Sequence, residues 1–256
     1  MERLPLLDFD PALDAVITPS APRVSERWPT AAVLCYFHEQ IAALAQRGTA
    51  RRIGRFSVEM GGHGIYAVDR PGDEPVAVFH PGVGAPAAVH ALERAVAGGC
   101  RSFVVCGGAG ALVPMPLGGV VVATGAVRDE GTSFHYAPPG AVVPVDPDTV
   151  ATLAAVLDDR SVPYTTGLTW TTDAPFRETR DRIAARRAAG CLTVEMEASA
   201  LLAAAGFRGV RLAALLYAAD DLSGPVWDSR NWTRAEVRAT LLSLAIEAAS
   251  GLRRAA

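Results

Sequence analysis

The chain has 256 residues, 27 acidic and 24 basic, with a formal net charge of −3 and half its residues apolar, so it can bury a core without disulfide staples. All 24 basic residues are arginine, and without lysine the chain forms no Schiff base, anchors no pyridoxal phosphate and builds no Walker phosphate loop. The lack of long basic runs argues against nucleic acid as the main partner, because affinity there comes from neutralised phosphates, and points to small molecules.

Proline punctuates the first 29 residues, and Ala31 to Ala45 has helical spacing with arginines at its end. From there strands and helices alternate. Pro75–Phe79 reads as a strand, Pro86–Ala97 as a helix, and Ser102–Cys106 and Val120–Thr124 as strands. Asp148–Leu157 reads as a helix, Pro163–Thr172 as a strand, and Arg177–Ala189 and Glu197–Ala205 as helices. Val210–Tyr217 suits a strand buried on both faces, and Thr233–Arg253 is a closing helix with Thr233 and Glu236 as its capping box. The alternation predicts one α/β domain over residues 1–256, with a mixed, largely parallel central sheet flanked by helices. Cys35, Cys100, Cys106 and Cys191 fit no metal-ligand spacing, and the N-terminus lacks the regions of a signal peptide; reduced thiols in a cytoplasm and no metal are expected. No apolar run reaches the roughly 18 to 20 residues that span a bilayer.

Ligands of open α/β sheets collect beyond the carboxyl ends of strands. Three such places stand out. Gly82-Val83-Gly84-Ala85-Pro86 leads from a strand into a helix, where bare backbone and free N–H groups suit an anion; a plain tight turn would use the same residues. Gly107-Gly108-Ala109-Gly110, read as a loop, again offers bare backbone, although neither stretch has the dinucleotide spacing. In Thr193-Val194-Glu195-Met196-Glu197-Ala198-Ser199-Ala200 two carboxylates stand where a strand gives way to a helix. Glu197 could be a first-turn glutamate favoured by the helix dipole, or a bidentate acceptor for two vicinal hydroxyls. Asp220 and Asp221 end the next strand, where one could be a general acid.

The segments Gly82–Leu112, Arg128–Pro138 and Thr193–Asp221 together resemble the nucleoside phosphorylase superfamily, over most of residues 75–252. The string VEMEASALL is the most specific element. The resemblance implies that Glu197, with Met196 and Glu195, binds the ribose, and that Asp220, 23 positions on, is the catalytic acid with Asp221 raising its pKa. Gly108 and Ala109 would line the substrate, and Phe176 with Arg177 would cover and bind the base, where stacking in a dry slot favours an aromatic ring. The resemblance further implies no cofactor, phosphate as co-substrate, and a homo-oligomer, either a dimer or a trimer of dimers.

Cleaving an N-glycosidic bond passes through an oxocarbenium-like sugar while negative charge collects on the departing base. By the same resemblance, an aspartate at position 220 implies purine-type bases, since the family's uridine phosphorylases typically lack it. The family's N-terminal Gly-Asp-Pro-x-Arg loop and the arginine before its second glycine stretch are not evident; the nearest strings are Thr18–Arg23 and Val104-Val105-Cys106. Gly82, Arg55, Arg128 and Thr132 are the expected phosphate contacts, with Arg23 and His80 as further donors, while His63 and His135 read as structural. Phosphorolysis is the expected reaction. Hydrolysis of a purine or 5′-modified nucleoside, a uridine phosphorylase-like reaction on pyrimidines, and non-catalytic nucleoside binding are its rivals.

Overall fold

A computed structural model describes residues 4–59, 61–231 and 234–254. In chain order the elements are β1 (Ala31–Cys35), α1 (His38–Gln46), β2 (Ala50–Val58), β3 (Gly61–Arg70), β4 (Asp73–Phe79), α2 (Ala85–Gly98), β5 (Ser102–Ala111) and β6 (Val120–Asp129). Then come β7 (Val142–Pro144), α3 (Pro147–Asp159), β8 (Tyr164–Thr172), α4 (Arg180–Ala188), β9 (Cys191–Glu195), α5 (Ala198–Phe207), β10 (Arg211–Asp221) and α6 (Ala235–Arg254). The strands form one mixed sheet in the order β10-β6-β8-β9-β5-β1-β4-β3-β2, with β7 paired to β6. An extra β10–β5 pairing curls one half of the sheet closed through β6, β8 and β9.

The α/β expectation holds, with one change: parallel pairings are matched in number by antiparallel ones, contributed by the β2–β3–β4 meander and by β6 and β9. Glycines and exposed arginines break the alternation that would have marked β2 and β3. Helices cover both faces. α2 and α5 pack their alanines and leucines on one side, while α6 with α1 and α3 covers the other. α5 is buried from Ala198 to Ala205, as a helix apolar all round must be.

The helix expected from Ala31 to Ala45 is corrected at its start. Ala31–Cys35 is a strand hydrogen-bonded between β4 and β5, with every residue buried, and helix begins only at His38. A five-residue apolar run fits a two-face-buried strand as well as a helix, and periodicity alone does not separate them. Gly107–Gly110 is likewise no loop: β5 runs through these glycines, paired with β10. Arg177 lies in a 3₁₀ turn, Pro175–Arg177, and α4 starts after the cap Thr179. Thr233, expected to cap α6, lies outside the described residues. All four cysteines are buried and free. Among the described residues no helix is long and apolar enough to cross a membrane.

Candidate active site

The junction of β9 and α5 fixes two carboxyl groups in different roles. Glu195 Oε2 accepts the N–H groups of Glu197 and Ala198 at 2.7 and 2.6 Å, and its Oε1 accepts the Thr171 hydroxyl at 2.6 Å. It therefore caps α5 from outside, satisfying amides that a helix start leaves open. Both oxygens are engaged, so the expected ligand contact at Glu195 is not what its geometry offers. Thr171 Oγ1 in turn accepts the Ser199 N–H, while Ser199 donates its hydroxyl to Glu130.

Glu197 occupies the N-cap position rather than the first turn. Its Oε1 accepts the Gly84 N–H at 2.6 Å, tying the carboxyl to the β4–α2 turn across 113 positions of sequence. Gly82 and Gly84 hold φ of +95° and +88°, values that favour glycine, and so bring the backbone up to this carboxyl. Burial, then the charge of Glu195, raises the Glu197 pKa to about 8. Burial likewise raises Glu195 to about 7, against the pull of its three donors. Met196 is half-buried between them.

At the end of β10, Asp220 stands in register with Gly110 of β5 after a bulge. A Cβ at Gly110 would run into Leu222 and would lie 3.4 Å from Asp220 Oδ1, so glycine gives the aspartate its room. Trp227 donates its indole N–H to Asp220 Oδ2 at 2.7 Å. Asp221 faces elsewhere. It accepts the Ser223 N–H at 2.7 Å and pairs with Arg230, which offset its burial and hold it below the usual carboxylate range. The expectation that Asp221 raises the Asp220 pKa is thus corrected: its charge is neutralised by Arg230. The like-charged neighbour is Glu178, between the 3₁₀ turn and α4, raised to about 7 by burial and then by the charge of Asp220. Arg180 clamps this region by donating to the carbonyls of Gly224 and Pro225.

The remaining expected residues divide. Gly108 is exposed and Ala109 buried on β5, so only the former offers backbone to a ligand. Arg128 is buried, with Nε on Ser133 Oγ at 2.8 Å, further donors on the carbonyls of Pro138 and Ala137, and its guanidinium over the Phe134 ring at 4.0 Å. Those contacts organise its own loop and remove Arg128 from the phosphate contacts expected of it. Thr132 is half-buried in the 3₁₀ turn of that loop, and His135 is exposed there. Arg55 pairs with Gly64 in the β2–β3 ladder, while its side chain lies against Gly62 and makes no ion pair or hydrogen bond among the described residues. Arg23 is exposed beside β2. Phe176, expected to cover the base, is 99% exposed in the single chain, and Arg177 is exposed with it. Three residues escaped the sequence reading: Tyr36, hidden inside a misread helix, and Glu178 and Trp227, which meet Asp220 only through the fold.

The Phosphorylase superfamily model matches residues 30–255, starting ahead of the stretch that carried the resemblance. The chain is 33% identical to a guanosine phosphorylase of Halorubrum lacusprofundi over 135 residues, 52% of this chain and 56% of that protein. It is also 33% identical to a uridine phosphorylase of Klebsiella aerogenes over 155 residues, 54% of this chain and 60% of that one. The aligned segments thus span less than two-thirds of these relatives' lengths. The fold matches a purine nucleoside phosphorylase of Toxoplasma gondii, solved with immucillin-H, at a TM-score of 0.79 and 17% identity, over 96% of this chain and 100% of that one. With the family model spanning β1 through α6, the chain belongs to the phosphorylase superfamily.

Proposed function

We propose that the protein is a nucleoside phosphorylase that cleaves the N-glycosidic bond of a purine-type nucleoside with phosphate, releasing free base and pentose 1-phosphate. One observation carries this reading: Glu197 is held against the Gly84 amide at the mouth of the β4–α2 turn while Asp220 sits over Gly110. A sugar-binding carboxyl and an acid for the leaving base are thereby supplied by consecutive segments of the chain.

Glu197 accepts two ribose hydroxyls and fixes the anomeric carbon toward the nucleophile. The C1′–N bond breaks with its electron pair passing to the base, a phosphate oxygen forms the new C1′–O bond, and a proton from the Asp220 carboxyl neutralises the base nitrogen. Glu178, raised to about 7 by burial and then by the charge of Asp220, shares in the proton inventory of the same corner near neutral pH. Arg55, whose side chain has no partner among the described residues, is the arginine that supports a phosphate role best. The exposed Phe176 ring supports a homo-oligomer in which a neighbouring subunit closes the base pocket, a state that sedimentation would reveal.

Purified protein incubated with adenosine, guanosine, inosine and uridine, with and without phosphate, tests the reading. Phosphate-dependent release, faster from purines than from uridine, is expected. Equal release without phosphate would contradict it.

A further inference from the structure

Tyr36, the residue after β1, stands where the sugar carboxyl, the glycine stretch of β5 and the Gly82 turn converge. Its N–H donates to the Cys106 carbonyl at 3.0 Å, prolonging the β1–β5 pairing. Its ring lies against Gly107, at which a Cβ would stand 3.4 Å from Tyr36 Cδ2. The same ring meets His80 edge-on, with centroids 5.5 Å apart at 70°. The Tyr36 hydroxyl is buried and has no hydrogen-bond partner. A buried hydroxyl left unpaired destabilises the fold, which is tolerated where a ligand supplies the missing partner. Burial, then the charges of Glu197 and Glu195, holds the phenol far above its usual range, so it keeps its proton.

His80 adds a second open donor. Its Nδ1 accepts the Gly82 N–H at 3.0 Å, which places the ring proton of the neutral imidazole on Nε2. Burial, then the charge of His63, lowers its pKa to about 4, so the ring is neutral under ordinary conditions. Nε2 makes no hydrogen bond among the described residues. On its outer side His80 borders a cavity of about 180 Å³, shared with His38, His63 and Gly62, and Arg55 lies against Gly62.

These donors need an acceptor. Ribose hydroxyls are already matched by Glu197, itself an acceptor, and the base lies toward Asp220. The group that brings only acceptor oxygens to this side of the sugar is phosphate. Resting on the phosphorylase reading above, we propose that the Tyr36 hydroxyl and the His80 Nε2–H hold the nucleophilic phosphate beside Gly107, a clamp of neutral donors between the two glycine segments. Neutral donors suit a pocket bordered by two buried carboxyl groups, and their fixed rings orient the attacking oxygen without a flexible side chain.

The test uses Tyr36→Phe and His80→Phe, each of which keeps an aromatic ring and removes the donor, in the full chain, with phosphate and nucleoside varied separately. In each variant kcat/KM for phosphate is expected to fall about 10- to 100-fold, as for the loss of one well-placed donor. Nucleoside affinity measured without phosphate stays within about twofold of wild type, because loss of a donor to phosphate leaves the sugar contacts in place. Tyr36→Phe also melts at or above the wild-type temperature, since it removes an unpaired hydroxyl and keeps the ring. If wild type depends on phosphate but Tyr36→Phe keeps its full kcat/KM for phosphate, or instead loses nucleoside affinity, the clamp is wrong and the phosphorylase reading stands. If wild type itself ignores phosphate, both fall.

Discussion

Burying an ionisable carboxyl makes its protonation part of folding. The Glu197 pKa moves from an ordinary 4.5 to about 8, so between these values the folded chain holds more protons than the unfolded one, and stability declines as pH rises through that window. Glu197→Gln keeps an oxygen acceptor for the Gly84 N–H and removes the titration. It is expected to melt several degrees above wild type at pH 8 and together with it below pH 4.5, while its activity falls about 100-fold or more through lost sugar contacts. Thermal melts across pH and initial rates check both. At saturating nucleoside, kcat reports the groups of the complex. It is expected to decline as pH rises through about 7, where Glu178 gives up its proton, and Glu178→Gln flattens that limb. An unchanged pH profile in Glu178→Gln would separate this residue from the chemistry.

At the scale of elements, the start of α5 depends on a side chain that precedes it. Glu195→Ala removes the acceptor of two helix N–H groups and of the Thr171 hydroxyl. A loss of about 2 kcal/mol is expected, read by calorimetry as a melting point lower by about 4–8 °C. Activity falls with it, because Glu197 sits on the turn that Glu195 holds. This arrangement was half legible in the sequence: a paired-glutamate string before an alanine helix marks the strand-to-helix junction, but which glutamate caps α5 and which meets the β4–α2 turn depends on where Thr171 and Gly84 arrive. The position of Asp220 at the end of β10 was legible from the apolar run that precedes it. Asp221 was misread because Arg230 reaches it only in the folded turn, and Arg128 because its acceptors are carbonyls, which leave no mark in the residue types. β1 was read as helix, and Tyr36 was hidden with it.

At the scale of the molecule, the half-closed sheet gathers the ends of β1, β4, β5, β9 and β10 around one corner, with Tyr36 following β1 and Asp220, held by Trp227, at the end of β10. With no lysine in the chain, an anion there meets only arginine, neutral donors and backbone amides. On the proposed function, this corner transfers a pentose from a base to phosphate. Quantifying all products after incubation of a purine nucleoside with phosphate tests it most directly, with Asp220→Asn alongside. Base and pentose 1-phosphate are expected in equal amounts, with a rate lowered about 100- to 10,000-fold in Asp220→Asn. Free pentose formed without consumption of phosphate would contradict it.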